Sequence, residues 1–245
     1  MSAAASAPPR EFTMTTTIGR SKVFGTVGFT VLALLVSVQG AGRFPDPARD
    51  SSRAAAKDIQ TAVVAGGCFW GVEAVFEQLT GVVDVVSGYA GGPEKSAHYE
   101  MVVTGQTGHA ESVKITYDAS QVTYGQLLKV FFSVAHDPTE LNRQGPDEGP
   151  QYRSSIFYGN EEQKQIATAY IAQLNDAKVF KKRIATTVVP LQGFFAAEDY
   201  HQNYLKLHPT QPYIVYNDLP KLDALKAQLP ELMKPELVKK KGGTK

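Results

Sequence analysis

The sequence predicts an α+β fold, a single domain with a mixed sheet, packed helices and long loops. Three observations predict it. Apolar runs of strand length and segments with apolar residues at helical spacing both occur between residues 61 and 230. They do not alternate in the strict rhythm of a doubly wound parallel sheet. Segments rich in Gly, Pro and Asp separate several of them.

The elements read in order as follows. Thr61–Ala65 is a short apolar run bounded by Gly66-Gly67, the pattern of a buried strand. Val72, Val75, Phe76 and Leu79 then recur at helical spacing, and Gly81 stops the helix. Val82–Ser87 reads as a second strand and Gly88–Pro93 as a loop. Ser112–Tyr117 alternates, with Val113, Ile115 and Tyr117 on one face. Tyr124, Leu127, Leu128 and Phe131 mark a helix, and His136–Pro150 a loop. Ser154–Tyr158 is a strand. Asn160 caps a helix that Glu161 and Glu162 favour at its positive end, with Ile166, Tyr170 and Leu174 as its buried stripe. Thr186–Leu191 reads as a last strand, and Ala197–Leu207 as a last helix that closes before Pro209.

Composition narrows the class. The chain is 43% hydrophobic and 20% charged, which excludes a collagen-like or wholly disordered protein. Its 25 basic and 24 acidic residues give a net charge of +1, so no general electrostatic footprint for nucleic acid exists. The one cysteine, Cys68, excludes an intrachain disulfide and a multi-cysteine zinc cage. A monomer is expected.

The ends read differently from the middle. Arg20 and Lys22 precede an uncharged run, Val23–Gly42, that ends in the small residues Gly40, Ala41 and Gly42. That is the pattern of a secretory signal, and the run is also long enough for an uncleaved membrane anchor. Residues 1–42 are therefore expected to export the chain to a periplasmic, secreted or membrane-anchored location. Met14 as an alternative start leaves the apolar run in place, and a non-functional leader would leave the protein cytoplasmic. Residues 43–60 carry Pro45, Pro47 and mixed charge and read as a linker, and 231–245 as a basic tail ending in Lys239–Lys245.

Chemistry concentrates at Cys68. A thiol is a poor nucleophile until ionised, and the unpaired N–H groups of a helix's first turn favour thiolate. The pattern places Cys68 at such a start, behind Gly66-Gly67 and beside Phe69 and Trp70, the only tryptophan. Two adjacent aromatics at a glycine-bounded turn cannot both enter one core stripe, so at least one is free to line a pocket. On residues alone, pairing of Cys68 with His109, His136 or His201 in a cysteine acyl-transfer hydrolase stays open, as does a binding module without turnover. The three histidines have no metal-ligand spacing.

Gly67-Cys68-Phe69-Trp70-Gly71 resembles the signature of the peptide methionine sulfoxide reductase A family. The resemblance continues through Gly105–Glu111, His136-Asp137-Pro138, Gln151–Ser154 and Ala197–Tyr204, in family order. It implies thiol-dependent reduction of the S epimer of methionine sulfoxide, free or in proteins, through a sulfenic acid on Cys68. It assigns the proton donor to Glu111, which must stay protonated in a dry site to serve. It places the oxygen-binding tyrosines at Tyr99 and Tyr152, the loop aspartate at Asp147, and the pocket for the S-methyl group at Phe69 and Trp70. It implies no cofactor. Many relatives carry resolving cysteines near the C-terminus, whereas Tyr213–Asn217 contains none. Regeneration is thus expected from an external thiol donor, a thioredoxin-like or glutaredoxin-like protein or a small thiol.

Overall fold

The computed structural model describes residues 44–238. The leader expected over 1–42 and the lysines from 239 onward lie outside these residues. Among the described residues eight strands occur in chain order: β1 (Ile59–Ala65), β2 (Val82–Ala90), β3 (Ala110–Asp118), β4 (Arg143–Gln144), β5 (Asp147–Glu148), β6 (Ser155–Tyr158), β7 (Thr187–Pro190) and β8 (Phe194–Ala196). The helices are α1 (Phe69–Glu77), α2 (Tyr99–Val102), α3 (Tyr124–Val130), α4 (Glu161–Asp176), α5 (Tyr204–Leu207), α6 (Leu219–Gln228) and α7 (Pro235–Val238). Six strands form one mixed sheet in the order β7-β6-β1-β3-β2-β8, with β6 and β7 parallel and the other neighbours antiparallel. β4 and β5 make a separate hairpin.

The central strand β3 alternates as its sequence dictates. Val113, Ile115 and Tyr117 are fully buried on one face, where α1 adds Val72, Val75, Phe76 and Leu79. Burying each such side chain contributes about 1.5–3 kcal/mol, so this seam fixes α1 against the sheet. Helix α3 starts at Thr123, whose hydroxyl accepts from the Gln126 N–H while the Gln126 side chain accepts from the Thr123 N–H. Asn160 caps α4 by accepting from the Gln163 N–H at 2.9 Å, and Ile166, Tyr170 and Leu174 form its buried stripe.

Several expectations need correcting. Gly88–Ala90 is not loop but the end of β2, because β8 pairs with it, Gly88 opposite Ala196 and Ala90 opposite Phe194. Ala197–Leu207 is not one helix. A 3₁₀ turn over Asp199–His201 breaks at Asn203, whose φ of 54° is left-handed, and only Tyr204–Leu207 is α-helical. The last large helix is instead α6, beyond Pro209. Residues 44–58 are no free linker. The Tyr170 hydroxyl donates to the Pro45 carbonyl, Lys129 pairs with Asp46 at 2.6 Å, and Asp50 accepts from the Gly125 N–H at the start of α3. The tail begins late: the Lys234 N–H donates to the Gln78 carbonyl, and Leu79 bridges to Met233. Among the described residues no helix is long and apolar enough to cross a membrane.

Candidate active site

Cys68 caps α1, directly after the Gly66-Gly67 turn, in which Gly67 takes a φ of 87°. Glu111 is the second residue of β3 and shares the core-facing parity of Val113, Ile115 and Tyr117. Its side chain is 3% exposed, and its Oε2 accepts from the Phe69 N–H at 3.1 Å. The strand therefore delivers a carboxyl to the first turn of the helix that follows Cys68. Tyr99 opens α2, held through its N–H by the Glu198 carboxylate at 3.0 Å. Tyr152 ends a 3₁₀ turn after the β4–β5 hairpin, and Asp147 lies on that hairpin opposite Gln144.

One cavity of about 270 Å³ is lined by Cys68, Phe69, Trp70, Tyr99, Glu111, Asp147 and Tyr152, together with Gln211 and Tyr213. All seven residues singled out in the sequence thus converge, from segments far apart in the chain. Gln211 and Tyr213 were missed. They lie past Pro209 in a stretch with no local motif. The Tyr213 hydroxyl donates to Asp147 Oδ2 and ties the C-terminal segment to the hairpin.

Burial governs the electrostatics. Glu111 is pushed up to about 8 by loss of water; the Phe69 N–H opposes the shift and the nearby Asp147 carboxylate adds to it. Burial raises the Asp147 carboxyl too, with the Tyr213 hydroxyl pulling the other way. The Tyr152 and Tyr99 phenols are held above the usual tyrosine range, chiefly by burial and then by the Glu111 charge, so both are donors at neutral pH. Cys68 departs from expectation. Burial pushes its thiol well above the ordinary range, and the Glu111 and Asp218 carboxylates add to this. The Trp70 N–H and the Lys221 ammonium oppose it without reversing it. The resting residue is a thiol rather than the thiolate the helix start suggests, because the dry cavity outweighs a few N–H dipoles.

Trp70 is held among the rings of Phe69, His201, Tyr204 and Tyr213. Its Nε1–H donates to His201 Nδ1 at 3.1 Å, and its ring stacks on Tyr204 with centroids 3.7 Å apart and planes within 8°. Tyr213 meets it edge-on at 5.9 Å. His201 is thus engaged by the indole, and Phe69 packs 5.0 Å from its ring. His136 contacts the Phe131 carbonyl through Nδ1 and Ser154 Oγ through Nε2. His109 contacts the Pro93 carbonyl and the Gly92 N–H. Both ring nitrogens of His136 and His109 are engaged by partners other than Cys68, as an acyl-transfer dyad would not allow, and His201 is committed to the indole through Nδ1. Among the described residues no group of three His, Cys, Asp or Glu side chains has metal-binding placement.

The family model described as peptide methionine sulfoxide reductase matches residues 60–232. The chain belongs to the peptide methionine sulfoxide reductase family. The MsrA 2 enzyme of Mesorhizobium japonicum is 60% identical over 186 residues, covering 75% of this chain and 95% of that protein. A Synechocystis MsrA 2 is 50% identical over 194 residues, covering 78% and 91%. In three dimensions the reduced form of Mxr1 from Saccharomyces cerevisiae superposes with a TM-score of 0.57 at 32% identity, covering 65% of this chain and 91% of that one. Methionine sulfoxide reductase A of Corynebacterium diphtheriae gives 0.56 at 37% identity, with 62% and 76% covered. The family shares the α+β mixed sheet, and its chemistry is the reduction of methionine sulfoxide to methionine by a thiol-dependent oxidoreductase. Cys68 and Glu111 line one cavity of this chain.

Proposed function

We propose that Cys68 is the nucleophile of this reductase, Glu111 its acid, and an external thiol its only source of electrons. The Cys68 sulfur attacks the sulfoxide sulfur while protonated Glu111 gives its proton to the sulfoxide oxygen. The thiol proton returns to Glu111, the thioether leaves, and the oxygen ends on Cys68 as sulfenic acid. Two thiols of the donor then form a disulfide, water departs and Cys68 is a thiol again. Tyr99 and Tyr152 donate to the sulfoxide oxygen, adding stabilisation without net charge in a dry site. Phe69 and Trp70 hold the methyl group, and Asp147, fastened by Tyr213, shapes the opposite wall.

The observation that carries this reading is the 3.1 Å hydrogen bond from the Phe69 N–H to Glu111, which keeps a buried carboxyl beside the lone cysteine. Because Cys68 is the only cysteine, no second sulfur of the same chain can resolve the sulfenic acid. The donor is a thioredoxin-like or glutaredoxin-like protein or a small thiol, and the enzyme works as a monomer. Export of the chain, supported by Arg20, Lys22 and the apolar run to Gly42, would place that donor outside the cytosolic thiol pool. Assaying purified protein with the separate sulfoxide epimers and dithiothreitol tests the chemistry. Methionine is expected from the S epimer only. Equal rates on both epimers, or ester cleavage without reductant, would overturn it.

A further inference from the structure

Glu73 is 1% exposed, lies on α1 and has no part in the reaction described above. Both its carboxyl oxygens accept from one main-chain N–H, that of Asn203, at 3.0 and 3.1 Å. Asn203 is left-handed, with a φ of 54°, an uncommon conformation for a residue with a side chain. The next residue, Tyr204, starts α5 and carries the ring stacked 3.7 Å over Trp70. Trp70 and Glu73 stand three apart on α1 and so share one helical face. Two adjacent side chains of α1 therefore grip two adjacent residues of the 197–207 segment: the carboxyl holds the backbone, the indole receives the ring. Ala74 and Leu205 pack alongside.

We propose that Glu73 is a positioning residue for substrate binding: by holding the Asn203 backbone it seats Tyr204 on Trp70, and so fixes the apolar wall that receives the sulfoxide's methyl group. The last clause rests on the proposed reaction; the grip on the wall does not. Protonation acts on this grip directly. An ionised carboxyl offers two acceptors, whereas a protonated one turns one oxygen into a donor. Burial first, and then the Glu77 and Asp84 carboxylates, push Glu73 up to about 7, with the Asn203 N–H and Ser87 opposing. Lys206 and Lys234 act on Glu77, one turn further along α1. On the Trp70 side, burial holds His201 below the ordinary histidine range, so its titration lies on the acid side of that of Glu73.

Trp70 is the only tryptophan, so fluorescence excited at wavelengths where tyrosine does not absorb reports the surroundings of this one residue. Emission of the substrate-free protein is expected to change in a step centred near pH 7, apart from any step of His201 at lower pH and that of Glu111 near 8, which is removed by working in a Glu111→Gln background. In Glu73→Gln, which is neutral at every pH, that step is absent. Its KM for methionine sulfoxide at pH 8 rises about fivefold, the scale of one weakened charge-assisted hydrogen bond, while kcat stays within about twofold. Glu73→Ala raises KM further; if it does not fold, Glu73→Gln carries the test. A wild-type protein without the step, a step that persists in Glu73→Gln, or a KM in that variant equal to wild type would each overturn the proposal. A protein that reduces no sulfoxide yet keeps a Glu73-dependent step refutes the reaction and leaves the grip on Trp70 intact.

Discussion

The main-chain N–H of Phe69 donates to Glu111 Oε2 at 3.1 Å, so the first turn of α1 and the start of β3 are locked together next to Cys68. A single contact holds the proposed acid beside the proposed nucleophile. It also exposes the acid to a dipole that favours its charged form, against the burial that favours its neutral one. Burial wins.

Removing the acid should separate binding from chemistry. Glu111→Gln keeps the shape and an acceptor for the Phe69 N–H but has no proton to give. We expect kcat to fall by about 10²–10⁴ with KM little changed. A loss below about tenfold would mean another proton source.

The same substitution should stabilise the protein in mild alkali. Glu111 is pushed up to about 8 in the fold, against about 4.3 in an unfolded chain. Between those values the folded state keeps a proton that the unfolded state gives up, so stability falls as pH rises through this window. Glu111→Gln escapes that loss, and its thermal midpoint at pH 8 should exceed that of the wild type by roughly 3 °C or more.

Activity should share that dependence on the alkaline side. As the acid must be protonated, kcat is expected to hold below about pH 8 and to fall above it. A rate that climbs steadily to pH 10 would contradict the role of Glu111.

Without substrate, Cys68 should be slow to alkylate. Burial and two carboxylates hold its thiol well above the ordinary range, so labelling by iodoacetamide at pH 7 should lag far behind a free thiol and keep rising beyond pH 9. Fast labelling at pH 7 would show a resting thiolate.

Gly71 ties the C-terminal helix to the site. A methyl group there would sit 2.0 Å from Asp218 Oδ1 and 2.7 Å from Lys221 Nζ, and Asp218 is fully buried. Gly71→Ala should therefore cost about 1–3 kcal/mol by overpacking, read as a lower urea midpoint. An unchanged midpoint would mean that α6 moves freely on α1.

What the sequence disclosed follows from what each pattern can encode. Thr61–Ala65, the glycine turn and the spacing of Val72, Val75, Phe76 and Leu79 announce β1 and α1, because one buried face leaves a period. Glu111 reads locally as a surface charge, and only its block, Gly108-His109-Ala110-Glu111, marks it; its burial depends on β1 and β2 flanking β3. β8 is three residues long and carries no period, so Gly88–Ala90 passes for loop. Helix α6 did leave a signal, Leu219, Leu222, Leu225 and Leu229 at spacings of three and four, masked by Pro220, which a helix tolerates in its first turn. Gln211, Tyr213, Asp218 and Lys221 have no such mark. Their place beside Cys68 is created by the return of the chain over α1, a tertiary contact that no local spacing records.

The central claim is that Cys68 takes the oxygen. The most direct measurement is the intact mass of protein treated with one equivalent of methionine sulfoxide without any thiol, then with dimedone. A gain of one oxygen, about 16 Da, or the corresponding dimedone adduct, located at Cys68 and matched by one methionine released per chain, is the predicted result. Methionine released with no modification at residue 68 would contradict it.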